Sequence, residues 1–201
     1  MRRVHSVAQV DHSRCRGDRI CENVCPTGAI RVVEKKAVVD ERKCAACLKC
    51  SDNCPEDAIR YVMRTEPLVL AVSPSETDRD KIREVCRKAH LTPEDVICPC
   101  TMATASEVAA AILKGARTPE DISAMTGVRT ACGMWCMALV QDLLRASGEE
   151  LAPPKGFHWY EVNVGLWNIP EEVAQKYPEY RLEESRRLFQ EQMDRFYSQD
   201  E

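Results

Sequence analysis

Displaced by 29 positions, the first part of the chain lies on a second copy of itself. Asp11 falls on Asp40, Cys15 on Cys44, Cys21 on Cys50, Cys25-Pro26 on Cys54-Pro55, and Ala29-Ile30-Arg31 on Ala58-Ile59-Arg60. The second copy reads Cys44-x2-Cys47-x2-Cys50-x3-Cys54-Pro55; in the first, the residue aligned with Cys47 is Asp18. Both copies share one grammar. A short β-prone run (7–10, 37–39) leads into a cysteine loop, a helical turn follows, and a second β-prone run closes the unit (30–33, 59–63). Two such units must pack together with their sulfur donors held in tight loops. Apolar residues are too few for a conventional core, so bound metal is expected to form the core and to supply much of the folding free energy.

Twelve cysteines in 201 residues leave two explanations, a disulfide framework or metal ligation. Met1-Arg2-Arg3 is followed by His5, Gln9, Asp11, His12 and Arg14, which is not the apolar core of a secretory signal. No apolar run approaches the roughly 18 residues that span a bilayer. Metal ligation in a reducing cytoplasm is the reading that follows. Residues 1–64 carry 13 Lys and Arg against 9 Asp and Glu, whereas residues 149–201 carry 6 against 12. Basic side chains around the first cysteines suit an acidic partner surface. A nucleic-acid partner is disfavoured by the pI of about 5.7 and by the absence of a basic stripe.

Beyond a break at Thr65-Glu66-Pro67, residues 68–72 read as an apolar strand and 76–90 as a helix with Ile82, Val85, Cys86 and Ala89 on one face. Cys86 on that stripe reads as a small buried apolar residue. Cys98-x-Cys100 precedes a capping box, Thr104-x-x-Glu107, which opens a helix over 106–114. Thr118-Pro119 caps another helix that ends at Gly127. Cys132-x3-Cys136 leads into a helix over 137–146. From Ala152 onward nine of the eleven aromatic residues crowd the chain, which reads as irregular until Arg181. Leu182, Phe189, Met193 and Phe196 then recur at helical spacing, with Glu183–Arg187 and Glu191–Arg195 as supporting pairs. Such a tail either wraps its own chain or buries anchors in a partner.

Soft thiolates favour iron–sulfur clusters and zinc. The complete second run resembles the cluster-binding run of bacterial two-cluster ferredoxins, in which the fourth cysteine of each run ligates the other run's cluster. That resemblance implies one [4Fe–4S] cluster on Cys44, Cys47, Cys50 and Cys25, and another on Cys15, Cys21 and Cys54 with Asp18 at the fourth corner. A carboxylate is a harder, weaker ligand for iron than a thiolate. Three states are therefore open there: a four-iron cluster with Asp18 bound, a [3Fe–4S] cluster with the corner empty, or loss of the cluster. Ferredoxins with Asp at this position resemble the first, and some interconvert with the second.

Cys98-x-Cys100 and Cys132-x3-Cys136, with Ala110, Ala111, Ile112, Gly115 and the Thr118–Ile122 cap, resemble the [2Fe–2S] domain of bacterioferritin-associated ferredoxin over roughly 96–146. The family usually closes with C-x2-C, so x3 is a departure. Tetrahedral zinc and a redox disulfide are the alternatives at these four residues. Trp135, between the last two, reads either as a shield for the cluster or as ordinary packing. There is no phosphate loop, no flavin or nicotinamide motif, and no catalytic residue; His5, His12, His90 and His158 are scattered.

The expected architecture is α+β. It comprises a dicluster ferredoxin-like domain (1–65), a connecting strand–helix segment (66–95), a small helical [2Fe–2S] domain (96–148) and an aromatic docking tail (149–201). The expected role is that of a non-catalytic, cytoplasmic iron–sulfur subunit relaying single electrons between a flavin-containing partner and an acceptor. The flavoprotein partner, in a hetero-oligomer without membrane span or nucleic acid, is implied by resemblance alone. Domains of the second kind accompany flavoprotein oxidoreductases such as amino-acid and opine dehydrogenases. A redox or iron sensor with an exchangeable cluster, and a structural zinc module in the C-terminal half, remain as alternatives.

Overall fold

The computed structural model describes residues 2–151 and 165–199, and the Phe157–Tyr160 aromatic cluster lies outside them. It is an α+β chain. Strand β1 (Arg2–Val10) pairs antiparallel with β4 (Ile59–Leu70), and β2 (Ile30–Val33) pairs with β3 (Lys36–Val39). Glu34 and Lys35 close the β2–β3 hairpin with φ of 48° and 62°, the two positive angles that a tightly twisted two-residue turn requires.

The repeat is written into the backbone. Helices α1 (Ile20–Asn23) and α2 (Lys49–Asp52) are equivalent, and so are three pairs of left-handed residues: Gly17 and Ala46, Arg19 and Leu48, Gly28 and Asp57. The two units also exchange ends. Asp11 N donates to Ala58 O at 2.7 Å and Asp40 N to Ala29 O at 2.6 Å, so each unit's entry residue bonds the other's exit strand. This exchange carries Cys25 toward the second run. Between the units, the small apolar set Val7, Ala8, Ala29, Ile30, Ala37 and Ile59 is completed by the buried cysteines 21, 44 and 50.

The sequence breaks β4 at Pro67, but the structure runs it through as one strand. The reason is its partner: β1 starts five residues earlier than its hydrophobicity suggests, so Arg2–Val4 pair with Leu68–Leu70 beyond a bulge between Val4 and Ser6. The strand therefore leads straight out of the first half into the second.

There, a 3-10 turn (Pro74–Glu76) precedes α3 (Arg79–Lys88), which starts later than its apolar stripe because Asp78 caps it by accepting from Asp80 N and Lys81 N. A short hairpin, β5 (Val96–Cys98) with β6 (Ala103–Thr104), leads into α4 (Ala105–Leu113). Then come α5 (Pro119–Thr126) and α6 (Met137–Ala146). Capping boxes start α4 (Thr104 with Glu107) and α5 (Thr118 with Asp121). Gly127, at φ 79°, ends α5. Ile82, Val85 and Cys86 of α3 share one core with Val108, Ile112, Ile122, Val140, Leu143 and Leu144. The segment 79–88 is thus a wall of the helical half as well as a connection to it. Cys86 is fully buried and its thiol is pushed up to about 12 by that burial. Each aliphatic side chain buried here contributes about 1.5–3 kcal/mol.

The C-terminal stretch forms α7 (Glu171–Lys176) and α8 (Leu182–Ser198), and α8 lies back on α3. Tyr197 Oη donates to Leu91 O at 2.8 Å, Arg83 covers the Tyr197 ring at 4.9 Å, and Trp167 stacks on His90 at 3.8 Å. Met193 and Tyr197 are buried. At helical spacing Arg187 pairs with Glu191 along α8 and Arg181 with Glu184 at its start, while Arg186 reaches back to Glu171. Among the described residues no helix is long and apolar enough to cross a membrane.

Candidate metal centres

The left-handed residues at Arg19 and Leu48 turn the chain into α1 and α2, so that Cys21 and Cys50 enter the core from the first turns of these helices. Backbone N–H groups then face the sulfurs. Ala29 N donates to Cys25 Sγ at 3.3 Å, Ala58 N to Cys54 Sγ at 3.5 Å, and Ala37 N to Cys15 Sγ at 3.4 Å. The first two are the same bond in the two copies. Donors arranged in this way stabilise negative charge on sulfur, which suits thiolates on iron.

Electrostatic neighbours show which of these side chains lie close to one another. The Cys50 thiol is pushed up to about 11, chiefly by burial, and it feels Cys25, Cys47 and Cys44. Burial also raises Cys47, which feels Cys25 and Cys44. Cys25 therefore stands with the second run. Cys21, pushed up to about 11 by burial, feels Asp18 and Cys15 as well as Cys50. Cys54 stands to that second group as Cys25 does to the first, by the repeat and by its N–H···S bond. Asp18 is exposed, and its Oδ1 accepts from Ile20 N at 3.0 Å.

The two centres differ at one hydrogen bond. Tyr61 Oη lies 3.3 Å from Cys50 Sγ, whereas the residue equivalent to Tyr61 in the first copy is Val32, which has nothing to donate to Cys21. The repeat alignment contained this difference, but only the fold shows that position 61 reaches the sulfur.

Cys98, at the end of β5, and Cys136, just before α6, are buried; Cys100 and Cys132 are exposed. The four thiols meet in two pairs. The Cys136 thiol donates to the Cys98 sulfur, which pulls Cys98 down to about 5 and pushes Cys136 up. Cys100 bonds Cys132, whose thiol is lowered first by the N–H groups of Met134 and Trp135. The N–H of Arg129 faces both Cys98 and Cys136. Among the described residues no three His, Cys, Asp or Glu side chains converge on one point as around a single ion. Cys98 also bears on Cys132, so the four thiols form one group, a donor set of the kind that holds a [2Fe–2S] cluster. Trp135 is 72% exposed, so it does not pack in the core.

The two halves meet beside these residues. A cleft of about 240 Å³ is lined by Cys25, Pro26 and Lys49 from one side and by Arg129, Cys132 and Gly133 from the other. A Cβ on Gly133 would come within 3.3 Å of Lys49 Nζ. Arg2 ties the halves further, bonding Thr130 Oγ1 and, at 3.2 Å, Ala45 O. Neither Arg129 nor Tyr61 is marked by any short-range sequence pattern.

Residues 8–62 match the family model of the 4Fe-4S dicluster domain, and residues 96–146 match that of the BFD-like [2Fe-2S] binding domain. No curated protein and no solved structure matches the chain. Both matched ranges contain the cysteine sites described above, and both point to electron transfer.

Proposed function

We propose that this chain, a fusion of a 4Fe-4S dicluster domain with a BFD-like [2Fe-2S] binding domain, is the iron–sulfur subunit of a flavoprotein oxidoreductase and relays single electrons between the flavin-containing partner and an acceptor. Cys25, Cys44, Cys47 and Cys50 would hold one [4Fe–4S] cluster. Cys15, Asp18, Cys21 and Cys54 would hold the other, with [3Fe–4S] as its form when the Asp18 corner is open. Cys98, Cys100, Cys132 and Cys136 would hold the [2Fe–2S] cluster. When bound, these groups supply one-electron carriers whose potentials follow ligand type, burial and hydrogen bonds to sulfur. The protein's part is to place them, to insulate them and to set those bonds.

The observation that carries the proposal is the cleft shared by Cys25 and Cys132. It supports a neighbouring arrangement of the proposed [2Fe–2S] and all-cysteine sites, while none of Cys15, Asp18, Cys21 and Cys54 lines that cleft. Such an order makes a wire with two ends. One end is open: Cys100 and Cys132 are exposed, and so are Met102, Met134 and Trp135, three large apolar side chains within three residues of them in sequence. A partner seated on these side chains would desolvate them and bring its own redox group close. The other end is the exposed Asp18 corner; Arg14, Arg16 and Arg19 flank it in sequence and pair with Asp57, Glu56 and Glu22. Twelve free thiols fit a reducing cytoplasm.

Exposure of Asp18 also favours a second reading, an iron sensor that exchanges metal at that corner. It predicts a large structural change when the metal leaves, whereas a relay titrates reversibly without loss. The partner is tested by isolating the untagged complex from its native source: a flavin-bearing subunit is expected, and a stable partner without flavin contradicts the proposal.

A further inference from the structure

Arg129 belongs to both sides of the cleft. It is 4% exposed and lies in left-handed backbone, at φ 69°, an uncommon conformation for a residue with a Cβ. That conformation aims its N–H at the sulfurs of Cys98 and Cys136. The side chain runs the opposite way. Its Nη1 donates to Pro26 O at 3.4 Å and pairs with Glu120 Oε1 at 3.1 Å. Pro26 is joined by its peptide bond to Cys25. One residue therefore touches the ligand loop of the [2Fe–2S] site through its backbone and that of the all-cysteine site through its guanidinium.

We infer that Arg129 is a positioning residue that fixes these two sites against each other and raises the reduction potential of both. The inference rests on the three-cluster reading above. Each reduction adds negative charge to a site, and a buried cation between two sites favours the reduced form of each, because charges interact more strongly where water is excluded. The N–H···S bonds act in the same direction at the [2Fe–2S] site. Glu120, whose side chain is 25% exposed, opposes this as the counter-ion. Lys49, across from Gly133, adds a second positive charge to the cleft. Asp18, Cys15 and Cys21 do not line the cleft, so their site should feel Arg129 least.

The test is an EPR-monitored redox titration of the full chain, reconstituted anaerobically with iron and sulfide, as wild type and as Arg129→Gln, Arg129→Lys and Glu120→Gln. Arg129→Gln is expected to lower the potentials of the [2Fe–2S] and all-cysteine signals and to leave the Asp18 signal in place. Arg129→Lys, which keeps the charge, should restore much of the loss. Glu120→Gln should move the same two signals upward. Should Arg129→Gln fail to assemble, Glu120→Gln at the rim of the pair carries the test. Unmoved potentials in Glu120→Gln, or an equal shift of all three signals, overturn the inference. Metal analysis of the wild type separates this from the broader reading. Zinc in place of the [2Fe–2S] iron defeats the cluster assignment, whereas a full iron complement with unmoved potentials defeats only the role of Arg129.

Discussion

Asp18 and Cys47 occupy one position of the repeated fold, and each accepts the N–H two residues further on: Ile20 N reaches Asp18 Oδ1 at 3.0 Å, and Lys49 N bonds the Cys47 sulfur. The carboxylate thus stands in the seat of the thiolate. The backbone bond is kept in both copies, while the side chain offered to iron changes from a soft thiolate to a hard carboxylate. Asp18→Cys should slow iron loss from that centre under chelator challenge and shift its potential, with the other two signals unchanged. Unaltered EPR and iron content would show that Asp18 does not ligate.

Tyr61 donates to Cys50 in one centre, while Val32 leaves Cys21 without that bond. Hydrogen bonds to charged acceptors are worth about 1.5–3 kcal/mol, and only part of that differs between oxidation states. Tyr61→Phe should lower the potential of the all-cysteine centre by roughly 40 mV, which corresponds to about 1 kcal/mol for a one-electron couple. The Asp18 centre should not move in the same titration.

Gly17 and Ala46 are equivalent and both left-handed, at φ 74° and 48°, so the backbone angle alone does not demand glycine. Space does. A Cβ on Gly17 would lie 2.4 Å from Lys35 O, in the β2–β3 turn. Gly17→Ala should cost about 1–3 kcal/mol as that turn is forced aside. Selective loss of the Asp18 signal, with the all-cysteine signal kept, is the expected EPR result.

His90 is held below the usual histidine range by burial, against the opposing pull of Asp142, and it stacks on Trp167 at 3.8 Å. A base whose pKa falls on folding stabilises the fold above its unfolded value, about 6.5, and that contribution is lost as pH falls toward the folded value. Amide exchange in α8, corrected for intrinsic rates, should quicken between pH 7.5 and 5. His90→Phe, which keeps the stack but cannot charge, should remove that dependence.

Local chemistry made much of the fold legible. The capping boxes at Thr104 and Thr118 and the stop at Gly127 placed α4 and α5 within a residue or so, because they act over one helical turn. The cysteine spacing located the candidate ligands for the same reason. Long-range partners were not legible. Pro67 reads as a break until Arg2–Val4 supply the strand that carries β4 past it. Likewise 79–88 reads as a connector until α4 and α6 bury its apolar face. The C-terminal anchors Trp167 and Tyr197 left their partner open, since nothing near them in sequence names His90, Arg83 or Leu91. Arg129 is the sharpest case: its importance lies in Cys98, Cys136, Pro26 and Glu120, distributed along the chain and joined only by the fold.

The central claim, three iron–sulfur centres along one chain, is tested most directly by metal and sulfide analysis of anaerobically purified protein. About ten irons per chain are expected, four, four and two, with acid-labile sulfide to match and no stoichiometric zinc. About eight irons with one zinc would contradict it, by making the Cys98–Cys136 site a structural ion and ending the wire at the dicluster half.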